Sequence, residues 1–177
     1  MAGVSVIIPT LNERANIVAV VTELRLILNE IDHEIIVVDD DSTDGTGDLV
    51  RSTFSNEPDK NILCINRSWD RGLSSAVVVG VSLSTKQYIC VMDGDGQHSP
   101  SDLGEMIKLI SSKDLDLVIG SRFLEHSVES MSWIRKAISK LGTKLAHCFI
   151  PKTVTDPLSG FFVVKASIVL ELKKKLY

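Results

Sequence analysis

Residues 88–100 read YICVMDGDGQHSP. The run Tyr88-Ile89-Cys90-Val91-Met92 has the length and the β-branched, aromatic character of a buried strand, and it stops at a glycine-spaced turn carrying Asp93 and Asp95. Ser99 and Pro100 then supply an N-cap and a first-turn proline for a helix through Ile110, whose positions Leu103, Met106, Ile107 and Ile110 share one apolar face. Two carboxylates this close, in a chain of net charge −4, repel each other unless a cation lies between them. Oxygen ligands on alternate positions suit a hard divalent cation that keeps several waters and completes its octahedron with phosphate oxygens; Gln97 offers a neutral third oxygen. Taken alone, an Asp-x-Asp turn reads equally well as a calcium-like or merely hydrated turn. His98 is expected to be structural, because hard cations prefer oxygen.

The strand, polar turn and helix of this stretch recur on either side of it. Val4 to Ile8, Glu34 to Val38, Asn61 to Ile65 and Leu115 to Ile119 are further strand-like runs. A helix from Ile17 to Ile31 would bury Val20, Val21, Leu24, Ile27, Leu28 and Ile31, and Leu73 to Leu83 forms a second, small-residue helix. This βαβαβ order predicts an α/β fold with a parallel sheet, right-handed crossovers and helices on both faces. Ligands of such sheets collect beyond the carboxyl ends of the strands. Polar clusters fall at those ends: Pro9-Thr10-Leu11-Asn12-Glu13, Asp39-Asp40-Asp41-Ser42, Arg67 to Gly72, Asp93-Gly94-Asp95 and Gly120-Ser121-Arg122. A structural chain needs turn residues there, but not acids, arginines and close-approach glycines together, so a ligand site on that rim is expected. Asp40 suits hydrogen bonds from a nucleobase, and Asp44, before Gly45, suits the N-cap of the next helix.

Composition narrows the function classes. With 177 residues, 44% hydrophobic and 24% charged, the chain is an ordinary globular domain without repeats or linkers. Its acidic balance offers no footprint for nucleic acid. Cys64, Cys90 and Cys148 are odd in number and scattered, which predicts free thiols rather than a disulfide framework. No basic leader precedes the first strand and no run approaches ~18 apolar residues, so neither a signal peptide nor a membrane span is expected. The sequon Asn66-Arg67-Ser68 carries no weight without a secretion signal. G-x-x-x-x-G-K-[ST] is absent, as is G-x-G-x-x-G after the first strand, which removes the main support for Walker-type or dinucleotide binding.

The series IIPTLNE, VVDDDSTDGT, RGLSSAVVVG, VMDGDGQHSP, VIGSRF and DPLSGFFVVK resembles the family 2 glycosyltransferases of the GT-A fold, and within them the dolichol-phosphate (polyprenol-phosphate) mannosyltransferases. The likeness runs from Val4 to about Leu170. It implies a single GT-A domain over 1–177, with a mostly parallel sheet, a nucleotide-binding part at about 1–122 and an acceptor-side part at about 123–177. On the matching positions, it implies that Pro9, Leu11, Glu13, Val38 and Asp40 hold the nucleoside of a sugar nucleotide. Asp93, Asp95 and Gln97 would hold Mg²⁺ or Mn²⁺ on the donor diphosphate, and Gly94 would let the backbone approach. Arg122 and Arg135 would be the cations at the transferred sugar's phosphate or the acceptor phosphate. Asp156, Ser159 and Gly160 match the family's acceptor-side Asp-x-x-Ser-Gly-Phe turn.

The implied reaction is inverting transfer of mannose from GDP-mannose to a dolichyl or polyprenyl phosphate. The alternatives are a UDP-glucose donor, or a non-catalytic nucleotide-sugar-binding module that lacks its acceptor half. Asp41 and Ser74 stand where the family often has glycine, and the chain stops sooner after Ser-Gly-Phe-Phe than family members usually do. From Trp133 to Phe149, an apolar stripe faces Lys136, Lys140 and Lys144 on every fourth residue. That stripe reads as a solvated face or as an approach to an anionic membrane surface. Peripheral association with the cytoplasmic side of the membrane bearing the lipid acceptor, with a membrane-anchoring partner subunit, is the expectation that goes with the resemblance.

Overall fold

The computed structural model describes residues 3–55, 61–121, 156 and 159–176, with side chains through 171. Arg122, Arg135 and the stripe from Trp133 to Phe149 lie outside the described residues. In chain order the elements are β1 Val4–Thr10, α1 Ile17–Ile27, β2 His33–Asp39, α2 Thr46–Phe54, β3 Ile62–Asn66, α3 Leu73–Leu83, β4 Tyr88–Val91, α4 Pro100–Ser112, β5 Leu117–Ile119, β6 Phe162–Lys165 and α5 Ala166–Leu176. The strands form one sheet in the order β3-β2-β1-β4-β6-β5. β1 lies between β2 and β4, parallel to both, and β2 is parallel to β3.

β1 and β2 read as near-continuous apolar runs because both faces of the sheet are covered. Val4, Val6 and Ile8 of β1 pack with Ile35 and Val37 of β2 under α1 and α4, whose Val21, Leu24, Leu103 and Ile110 are fully buried. Ile7, Ile36, Val38, Ile89 and Val91 point the other way, into a second cluster with Ala76 of α3 and, around it, Val77 and Val79 of α3 and Ile168 and Val169 of α5. The period of two along β1, β2 and β4 thus sends their buried apolar side chains alternately to one cluster and the other. All four apolar positions expected of α4 are buried, whereas α1 ends at Ile27, short of the expected Ile31.

One strand departs from the parallel expectation. β6 inserts between β4 and β5 and runs antiparallel to both, pairing Val91 with Phe162 and Ile119 with Phe162. Its first residue therefore sits at the carboxyl ends of the other strands. Phe161-Phe162-Val163-Val164 is too short to distinguish strand from helix by period, so the sequence showed only the Ser-Gly-Phe turn in front of it. α5 continues through Lys173, Lys174 and Lys175. No helix among the described residues is long and apolar enough to cross a membrane.

Two consequences of this packing are measurable. α3 lies so close to β1 that a Cβ at Gly80 would overlap Ile7 Cγ2. Gly80→Val should lower the unfolding free energy by ~1–3 kcal/mol in urea titrations, the cost of overpacking a filled core. Cys64 and Cys90 are free thiols; burial pushes Cys64 up to about 11, with Arg51 only partly opposing it, and raises Cys90 further. The thiolate is the reactive form, so alkylation at Cys64, read peptide by peptide by mass spectrometry, should keep rising through pH 10 instead of levelling near 9.

Candidate functional site

The rim at the carboxyl ends of β1 and β2 is stitched by hydrogen bonds between the two loops. Asn12 N donates to Ser42 Oγ at 2.8 Å, Glu13 N to Thr46 Oγ1 at 2.9 Å and Arg14 N to Asp44 Oδ2 at 3.1 Å, while Thr43 N donates to Asn12 Oδ1 at 3.0 Å. Asp39, fully buried, receives Thr10 Oγ1 at 3.0 Å and both the amide and the hydroxyl of Ser42. Asp44 does not take the N-cap position, which falls to Gly45. Its Oδ1 accepts from Thr46 N at 2.9 Å and Thr46 Oγ1 at 2.5 Å, and the Thr46 hydroxyl holds this carboxyl below its ordinary range. Glu13 directs its carboxylate at Asn16 Nδ2, 3.0 Å away.

Beside this rim opens a cavity of about 350 Å³ lined by Pro9, Thr10, Leu11, Asp40, Arg71, Gly72, Leu73 and Ala76. Leu11 and Leu73 form exposed apolar lips, and Val38 is core packing beneath them. Asp40 is engaged from behind. Its Oδ1 accepts from Arg67 Nε at 2.7 Å and from Arg67 Nη2, and its Oδ2 accepts from Gly72 N at 2.7 Å. Arg67 is fully buried and also donates to Gly72 O at 3.1 Å; its Nη1 is the one buried side-chain nitrogen or oxygen without a hydrogen bond among the described residues. Arg71 clamps the same loop by donating Nη2 to Asp40 O at 2.8 Å and to Asp41 O at 3.0 Å. Sequence reasoning treated Arg67 and Arg71 only as part of a polar loop. Two arginines four apart after a strand, facing an Asp-Asp-Asp turn, were the available signal.

The Asp-x-Asp turn adjoins this cavity through Gly94, where a Cβ would stand 3.0 Å from Thr10 Cγ2. Asp95 Oδ1 accepts from Gln97 N at 2.9 Å, and the Gln97 side chain is exposed. Asp93 is about one-third exposed, with His98 Nε2 3.6 Å from its Oδ2. The His98 ring rests on Phe161, the centroids 5.0 Å apart. Ser99 takes the N-cap position of α4 without a side-chain capping bond, and its Oγ lies 2.6 Å from Ser101 Oγ.

The Asp-x-x-Ser-Gly-Phe turn in front of β6 reaches the same place. Ser159 N donates to Asp156 O at 3.2 Å, Ser159 Oγ donates to Gly120 O at 2.6 Å, and Phe161 N donates back to Ser159 Oγ at 3.2 Å. Asp156 is buried. Gly160 faces the Asp93 carboxylate, and a Cβ on it would come within 2.9 Å of Oδ2.

The donor chemistry fits a hard divalent cation. Asp93 and Asp95 offer only oxygen, and the missing Cβ of Gly160 leaves the Asp93 carboxylate a cradle. Among the described residues no three carboxylate, imidazole or thiol groups converge on one point; magnesium-like ions commonly take one or two carboxylates and complete their shell with water and phosphate. The structure therefore brings together Pro9, Leu11 and Asp40 at the cavity, Asp93, Gly94, Asp95 and Gln97 on the adjoining turn, and Asp156, Ser159 and Gly160 behind it. Arg122 and Arg135 fall outside the described residues.

Because breaking a buried pair strands the surviving charge, Arg67→Met should cost ~3–5 kcal/mol of stability. The Asp40→Asn/Arg67→Met double variant should recover part of that loss in the same denaturant titration.

A model of glycosyl transferase family 2 matches residues 5–172. A dolichol-phosphate mannosyltransferase of Pyrococcus furiosus is 38% identical over 169 residues, which are 94% of this chain and 47% of the relative. A polyprenol monophosphomannose synthase of Mycolicibacterium smegmatis is 29% identical over 168 residues, 93% of this chain and 62% of that protein. The chain thus spans about half the length of the first relative and three-fifths of the second. Among solved structures, a mannosyltransferase of Pyrobaculum calidifontis in complex with GDP-Man and Mn²⁺ aligns over 67% of this chain and 35% of its own, with a TM-score of 0.56 and 26% identity. A mannosyl-3-phosphoglycerate synthase of Rubrobacter xylanophilus covers 94% of this chain and 55% of its own with a TM-score of 0.74 at 17% identity, a likeness of fold alone. With its mixed α/β sheet, its acidic turn and a family match over nearly its whole length, the chain belongs to glycosyl transferase family 2.

Proposed function

We propose that this chain carries the donor-binding part of an inverting, metal-dependent glycosyltransferase that passes mannose from GDP-mannose to a dolichyl or polyprenyl phosphate. The observation that carries the reading is the adjacency of the Asp93–Asp95 turn to the cavity at Asp40, two subsites joined through Gly94 and Thr10. Support for the sugar and the acceptor comes from the mannosyltransferases to which the chain is similar.

In this reading the cavity accepts the nucleoside. Leu11 and Leu73 cover its apolar faces, and Asp40, held rigid by Arg67 and Gly72, offers remaining carboxylate lone pairs to the base. Asp93 and Asp95, with Gln97, would hold Mg²⁺ or Mn²⁺, which when bound offsets the charge of the donor diphosphate. A phosphate monoester acceptor is largely ionised near neutral pH, so its oxygen attacks without a strong general base. The protein's task is then alignment of that oxygen in line with the bond to the leaving diphosphate, which gives inversion. Arg122 and Arg135 are the cations the family resemblance assigns to the phosphates, in an acceptor-side part at about 123–177. The lipid acceptor puts the reaction at a membrane surface, where Lys136, Lys140 and Lys144 or an anchoring partner subunit would hold the protein.

The test is transfer of labelled mannose from GDP-mannose to dolichyl phosphate with Mn²⁺, with GDP-mannose binding measured in parallel. Transfer should require the metal and fall ~10²- to 10³-fold in Asp95→Ala, on the scale of losing one preorganised charge partner. Failure of the chain to bind GDP-mannose in the presence of Mn²⁺ would overturn the donor assignment.

A further inference from the structure

We infer that the Ser159-Gly160-Phe161 turn and His98 are positioning residues for Asp93, a wall that fixes how its carboxylate meets a divalent cation. The inference rests on the reading of the Asp93–Asp95 turn as a cation site, and it gives the acceptor-side motif a second task.

Four observations carry it. β6 enters the sheet antiparallel, so its leading turn lies at the carboxyl end of β4, beside Asp93, two residues past that strand's last paired position. Gly160 then stands so near the Asp93 carboxylate that a Cβ would come within 2.9 Å of Oδ2 and 3.2 Å of Oδ1. On another side stands the His98 ring, its Nε2 3.6 Å from Oδ2, too far for a direct hydrogen bond but close enough to close off that rotation. The ring's side chain is only 10% exposed and is backed by Phe161, itself 2% exposed. Finally, the turn is tied down: Ser159 Oγ donates to Gly120 O at 2.6 Å and receives Phe161 N at 3.2 Å, and Gly120 N donates to Phe161 O at 2.9 Å. The β5 end and the β6 start are therefore joined by hydrogen bonds, and the β4 turn rests against them through His98 and Asp93.

A carboxylate ligand that is free to rotate pays for its orientation when the cation arrives, and groups around the ligands commonly change metal affinity 10- to 100-fold. The orientation of Asp93 is set beforehand by backbone on one side and the His98 ring, tilted against Phe161, on the other. The Gly160 backbone is not in the left-handed region, so alanine there is tolerated by the chain and its methyl presses on the Asp93 carboxylate itself.

The experiment is titration of Mn²⁺ into the chain in the presence of GDP, reading free Mn²⁺ by its electron paramagnetic resonance signal, for wild type, Gly160→Ala, His98→Ala, His98→Gln and Asp95→Asn. Gly160→Ala and His98→Ala should each weaken Mn²⁺ binding by about 10-fold or more while the urea midpoint of Gly160→Ala stays at the wild-type value. His98→Gln, which refills much of the ring's space beside Asp93 Oδ2, should recover most of the loss. Mn²⁺ binding within about threefold of wild type in a folded Gly160→Ala overturns the inference, because a purely structural turn would leave affinity unmoved. Binding that survives in Asp95→Asn instead overturns the cation site itself, and the inference with it.

Discussion

The direction of β6 is the constraint on which the site depends. Four parallel strands, β1 to β4, deliver their polar ends to one rim, as any doubly wound sheet does. A further parallel strand beside β4 would have brought only another carboxyl end. By running the other way, β6 brings its leading turn, Ser159 to Phe161, to that rim instead. Residues more than 60 positions apart in the sequence, Asp93 and Gly160, thereby become neighbours.

Around that constraint the chain has built two differently braced halves. At the cavity the brace is electrostatic: Asp40 is buried with Arg67, and Arg71 ties down the same loop through backbone carbonyls. A buried pair of this kind gives little net stability, since desolvation consumes most of the attraction, but it leaves one arrangement far better than its alternatives. At the acidic turn the brace is steric and hydrogen-bonded, made from Gly160, the His98 ring against Phe161 and the Ser159 hydroxyl. The carboxylates there stay partly exposed, which suits groups whose partner arrives from solution.

Much of this was legible in the sequence. The β-branched runs and helical stripes located β1 to β5 and α3 and α4 to within a few residues, most sharply at β1, β4 and α4, whose apolar positions are buried and whose period survives in the order of residues. The polar loops at the strand ends located the rim for the same reason. What the sequence hid was non-local: β6 was invisible because four apolar residues fit either period, and with it went the contact between Gly160 and Asp93. The partner of Asp40 was hidden too, since Arg67 is 27 residues away and nothing in its local sequence marks it as buried. Asp44 was read as an N-cap and proved to sit one residue before the cap, satisfying the first helical amide from there.

The central claim is that one divalent cation joins the acidic turn to the diphosphate of a nucleotide seated in the Asp40 cavity. The most direct measurement is anomalous scattering from Mn²⁺ in crystals of this chain grown with GDP-mannose. The account predicts a single strong peak in contact with carboxylate oxygens of Asp93 or Asp95 and with the diphosphate, with the guanine between Leu11 and Leu73. A peak away from that turn, or a nucleotide bound outside the cavity, would contradict it.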